Sequence, residues 1–127
     1  MNKKHVPDLE LCQEFDTLCK EKGIVVPETE CYWVTENPLS DDWRPQTEDM
    51  ACEYGNHMHF PAPLVSEQGE WLPLGYSSMK SGSMFKKARY ICGRYEEEGR
   101  DSLGRTEANA RQKMINYLLA EGIITKL

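Results

Sequence analysis

Apolar residues recur at helical spacing near both ends of the chain. Leu11, Cys12, Phe15, Leu18 and Cys19 lie three and four apart, so the spacing predicts an amphipathic helix over Pro7 to Lys22. Pro7 suits a first helical position, where no N–H is needed. Gly23 and Pro27 then end the helix. At the other end, Ala110, Met114, Ile115, Leu118 and Leu119 make a second stripe. Thr106 is its expected N-cap, and Glu107 puts negative charge at the positive end of the helix dipole. Gly122 supplies a left-handed stop, with Ile123 as the expected hydrophobic cap.

The middle of the chain follows a shorter period. Glu30 to Glu36 is rich in aromatic and β-branched residues and reads as a strand, with Cys31 and Trp33 on one face. NPLSDDWRPQTED after it has loop chemistry. A second strand is expected within Met50 to Phe60. Ser66 is placed to cap a single turn through Glu70, closed by Pro73. KSGSMF reads as flexible and GRDSLGR as a turn. Met84 to Glu98 reads as the longest strand, with Ala88, Tyr90 and Cys92 sharing a face.

No strand–helix–strand crossover is evident, so a parallel sheet is not expected. The pattern predicts a single α+β domain over residues 1–127. It would hold a small antiparallel sheet of three or four strands, with two amphipathic helices packed on one face.

Composition narrows the function classes. The chain has 127 residues, 39% hydrophobic and 28% charged, as in an ordinary globular domain. A net charge of −6 favours solubility and argues against nucleic acid as a general partner. No apolar run approaches a membrane span, and the two lysines near the start precede no apolar run of a secretory leader. Five cysteines at irregular spacing suit reduced thiols in a cytoplasmic protein better than a disulfide framework.

Three stretches, taken in order, resemble a known family. They are Tyr32-Trp33-Val34; then Ala62-Pro63-Leu64 running through Ser66-Glu67, Gly69-Glu70 and Leu72-Pro73; then Glu107-Ala108, Ala110-Arg111, Lys113-Met114 and Tyr117-Leu118-Leu119. The chain is similar in these stretches to small uncharacterised proteins encoded in prophages and mobile elements of gut anaerobic bacteria. It departs from that pattern at Gln68, where an apolar residue is expected, and at Trp71, where a smaller one is. The resemblance implies a phage or mobile-element origin and carries over no catalytic residues.

Several groups could carry chemistry. Cys52, His57 and His59 form C-x₄-H-x-H, and alternate strand residues face one way, so both imidazoles could reach one zinc ion, with Cys31 as a further ligand. The plainer reading is a hairpin with two exposed histidines and a buried thiol. Cys92 lies among Lys86, Lys87, Arg89 and Arg94, which would favour a thiolate, but its alternation with Tyr90 makes it core. The same basic residues, interleaved with Phe85, Tyr90 and Tyr95, imitate a surface for single-stranded nucleic acid. The carboxylates all lie in polar segments, and SSMKSGS lacks the order of a phosphate loop. No cofactor is expected. Trp43, Trp71 and Tyr76 sit in or beside loops, and aromatics so placed either anchor a partner or pin loops to the core. The expectation is a non-enzymatic accessory protein that binds a host or phage protein. The alternative is a small metal- or nucleic-acid-binding regulator.

Overall fold

Asp8 opens the first helix, α1 (Leu9–Lys22), with an extended backbone, and its carbonyl accepts from Cys12 N–H. The structure, a computed structural model, describes residues 5–35, 42–47, 59–80, 90–94 and 101–127. The helix starts two residues later than the position of Pro7 suggests. Pro7 is instead buried before the helix, where its carbonyl accepts from the Trp33 indole at 2.8 Å and the Cys12 thiol at 3.7 Å. Cys12, Phe15 and Cys19 form the buried stripe. Gly23 and Gly122 follow the two long helices at φ of 67° and 74°, conformations that cost glycine little.

The other elements are β1 (Cys31–Val34), β2 (Arg44–Thr47), β3 (His59–Pro61), α2 (Val65–Trp71), β4 (Tyr76–Lys80), β5 (Tyr90–Arg94), β6 (Ser102–Gly104) and α3 (Glu107–Ala120). This is an α+β fold whose strands form two antiparallel three-stranded sheets, in the orders β2-β1-β3 and β4-β5-β6. Three strands lie where loops or turns were expected. β2 falls inside the Asn/Pro/Asp segment, β4 overlaps the stretch read as flexible at Lys80, and β6 occupies the expected turn before the last helix. Each is short, and its pairing partner supplies what its own residues do not signal. The expected strands over 50–60 and 84–98 are seen only where they overlap β3 and β5; the rest of each lies outside the described residues.

α2 also differs from expectation. Leu64, not Ser66, is its N-cap residue, and Ser66 is exposed. The Glu67 carboxylate folds back to accept from Leu64 N–H at 2.8 Å, which satisfies a donor that would otherwise have no partner in the helix.

α3 is the centre of the fold. Thr106 Oγ1 accepts from Asn109 N–H at 3.1 Å, as the sequence predicts for an N-cap. The expected stripe of Ala110, Met114, Ile115, Leu118 and Leu119 is buried, and it packs with Phe15 and Cys19 of α1 and Cys92 of β5. Ile124 closes this core rather than Ile123, which is 52% exposed. The N–H groups of both isoleucines bond the Leu118 carbonyl, at 2.9 and 3.1 Å, and that turn directs the second side chain inward. Gly104 lets β6 lie directly on α3, because a Cβ there would stand 2.5 Å from Ala110 N. A second core of Val6, Cys12, Cys31, Trp33 and Ala62 joins α1 to the first sheet.

The burial of α3 extends beyond its apolar stripe. Asn109, Gln112 and Asn116 are also buried and lie on one face at helical spacing. Asn109 Oδ1 accepts from Asp8 N–H at 2.8 Å, and Asn116 Nδ2 donates to the Leu11 carbonyl at 3.1 Å. Gln112 Nε2 donates to Asn116 Oδ1 at 2.9 Å and Gln112 Oε1 accepts from Gln68 Nε2 at 3.0 Å. This amide seam ties both other helices to α3. It also gives Gln68 a packing role.

Candidate functional site

The two faces of the sheet β4-β5-β6 differ in chemistry. Ser78, Cys92 and Ser102 stand opposite one another in the register, and this row faces α3. Cys92 is buried, and Ser78 Oγ is held between Glu107 and Arg111. One residue along each strand, the pleat reverses. Met79 stands opposite Ile91, and Ile91 opposite Leu103, so three apolar side chains cross the sheet on its outer face. Met79 is 63% and Leu103 45% exposed, and Ile91 is half-buried. Asp101 and Lys80 are exposed nearby in sequence.

Arg111 fixes the inner side of this sheet. Its Nη1 donates to the Val65 carbonyl at 2.7 Å, its Nε to Ser78 Oγ at 2.9 Å, and its Nη2 lies 3.3 Å from Glu107. One guanidinium thus joins α2, β4 and α3. Beside it, a cavity of about 620 Å³ opens between the start of α2, the start of α3 and Tyr90 of β5.

The residues singled out by sequence fall in different places. Trp71 is half-buried and stacks on Phe15, with ring centroids 5.7 Å apart and planes at 15°. Tyr76 is half-buried against the same core. Trp43 lies against the other core, tilted on Phe60 at 5.5 Å. The three aromatics are therefore divided between two cores, and each contributes part of its surface to the fold.

His59 is exposed on β3 opposite Val34, and its ring meets Tyr32 edge-on at 5.5 Å. Cys52 and His57 lie outside the described residues. Cys31 is not brought to His59: its carbonyl bonds Ala62 N–H at 3.0 Å, so it sits three residues along β1 from His59's partner Val34, about 10 Å away. Cys31 is instead fully buried beside Cys12 and Trp33. Among the described residues no group of three His, Cys, Asp or Glu side chains could hold a metal ion. Arg94 is exposed at the end of β5, opposite Tyr76. Lys86, Lys87 and Arg89 lie outside the described residues.

Cys12, Cys19, Cys31 and Cys92 are buried free thiols. Burial pushes the Cys92 thiol up to about 11 despite the nearby Arg111 guanidinium, with Asp101 and Glu107 pushing the same way as burial. Cys19 and Cys31 are likewise raised to about 11 by burial, with help from Asp16 and from Glu30 respectively, and Cys12 rises further. An activated nucleophile needs the opposite shift.

Sequence reasoning missed Met79, Ile91 and Leu103 as a group. Met79 and Leu103 have no apolar neighbour in sequence, Ile91 is the apolar residue of β5 that faces away from the Tyr90–Cys92 side, and only the register unites the three. Comparison with family models, curated proteins and solved structures yields no match to this chain. Among the described residues, no helix is long and apolar enough to cross a membrane.

Proposed function

We propose that this chain is a non-enzymatic accessory protein of phage or mobile-element type, acting in the cytoplasm by binding a host or phage protein. The observation that carries the reading is the Met79–Ile91–Leu103 row on the outer face of the second sheet. Apolar side chains left on an ordered sheet face are what a protein interface covers. The raised thiols support a binding role over nucleophilic catalysis. With a net charge of −6, the partner this chain attracts best presents an apolar patch rimmed by basic residues.

The test is a double variant, Met79→Glu with Leu103→Glu. Both sites are exposed strand positions, so the thermal transition should stay cooperative and close to wild type. Immobilised wild-type protein should retain a basic partner from host or phage lysate, with salt weakening the contact, and the double variant should release it. The reading fails if the variant retains the same proteins, or if wild type retains none that salt weakens. Trp71→Ala separates the aromatics from this surface. Its stacking on Phe15 predicts a stability loss of about 3 kcal/mol with partner capture preserved at temperatures where the variant is folded.

A further inference from the structure

The described lining of the cavity between the starts of α2 and α3 takes in no residue of the apolar row, and it has two characters. Leu64, Val65 and Ala108 give it an apolar wall, to which the Tyr90 ring adds. His5, Ser66, Arg105 and Thr106 give it a polar side. Its volume of about 620 Å³ is that of a small-molecule site.

The polar side chains have unused capacity. Among the described residues, the side chains of His5, Ser66, Tyr90 and Arg105 make no hydrogen bond or ion pair. The Thr106 hydroxyl accepts from Asn109 N–H, which leaves its own hydrogen free to donate. The cavity thus gathers donors in excess: a guanidinium, an imidazole N–H and three hydroxyls. The one carboxylate among the described lining residues, Glu107, is already held by Arg111 and Ser78. Its charge is offset by Arg111, so among the described lining residues Arg105 is left as the uncompensated cation.

We infer that this cavity binds a small monoanionic carboxylate with an apolar body, an aliphatic or aromatic acid. The carboxylate pairs with Arg105 and accepts from the Ser66 and Thr106 hydroxyls, because a guanidinium fork and neighbouring hydroxyls match its two oxygens. The apolar body lies against Leu64, Val65, Ala108 and the Tyr90 ring. One net positive charge suits a monoanion. A phosphate dianion would bring a second negative charge with no second free cation among the described lining residues. The inference is independent of the proposed partner surface.

The experiment is a titration of ¹⁵N-labelled protein, followed by amide shifts, with benzoate, octanoate, benzamide and inorganic phosphate. Benzoate or octanoate should give saturable shifts centred on Ser66, Arg105, Thr106 and Ala108. Benzamide and phosphate should bind at least about tenfold more weakly, as expected when a charge-assisted pair or the apolar contact is lost. Arg105→Gln should weaken carboxylate binding about tenfold or more. Ser66→Trp should fill the opening and abolish binding. Both variants alter exposed residues, and unchanged melting temperatures would confirm that they fold. The inference is overturned if neither carboxylate saturates, if the shifts map elsewhere, or if Arg105→Gln binds like wild type. A response to phosphate or benzamide equal to that of the acids overturns the ligand class.

Discussion

Cys12, Cys19, Cys31 and Cys92 sit on three different elements, yet burial imposes one behaviour on them. An unfolded chain ionises a thiol near 9.0, whereas the folded chain holds Cys19, Cys31 and Cys92 protonated to about 11. Folding therefore draws full stability from these thiols below pH 9 and loses it as pH rises toward 11. Urea midpoints should fall between pH 9 and 11, and Cys92→Ala should flatten that fall. At pH 8, iodoacetamide followed by peptide mapping should label these four cysteines only at the rate of unfolding. Rapid labelling of Cys92 in folded protein would show that its site is open. The core assignment of Cys92 was legible from its alternation with Tyr90. The sign of its thiol shift was not, because the basic residues along the strand suggest a thiolate, and burial is a property of the packed α3 behind it.

At the scale of elements, the long helices were legible and the short strands were not. α1 and α3 carry their own signals: a stripe of period 3.6, a stop glycine, and at Thr106 a side-chain cap. β2, β4 and β6 have three to five residues each, reading RPQT, YSSMK and SLG, and few of these favour a strand in isolation. Their conformation comes from β1, β5 and α3. The Met79–Ile91–Leu103 row was hidden for the same reason. The amide seam was visible in principle as Asn109, Gln112 and Asn116 at helical spacing, but amides at such positions read as a solvated face. Asn116→Ala tests the seam. It would remove the second donor to the Leu11 carbonyl, which α1's own ladder already engages, and leave a Gln112 donor unsatisfied, so urea unfolding should show a loss of about 1–3 kcal/mol. A change within about 0.5 kcal/mol, as for an ordinary surface substitution, would mean that water replaces the seam.

For the molecule as a whole, α1 is shared between the two cores. Phe15 and Cys19 belong to the one built on α3 and the second sheet, Cys12 to the one built on the first sheet. Both cores close with apolar contacts among described side chains, so folding is expected to be independent of metal. EDTA should leave the circular dichroism and the melting temperature unchanged. A fall in melting temperature that zinc restores and His59→Ala abolishes would reinstate the Cys52, His57 and His59 site. The α+β class was legible because helical and alternating patterns occupy separate stretches with no crossover unit. The division into two sheets was not, since it depends on β1 pairing with β2 and β3 while β4, β5 and β6 pair among themselves.

The first sheet has β2 and β3 at its edges, and each contains a proline, Pro45 in one and Pro61 in the other. Proline has no N–H to offer a further strand, so at these positions neither edge can continue the hydrogen-bond ladder into another chain. The second sheet has no proline in its outermost strands, β4 and β6. β6 is short and lies against α3. Among the described strands that leaves β4, with Lys80 as its one charged residue, as the edge on which a foreign strand could be templated. If the protein forms fibres on partial unfolding, their ordered segment should include YSSMK, and the β1 segment CYWV, though richer in β-forming residues, should be kept out while its two proline-bearing neighbours remain paired to it.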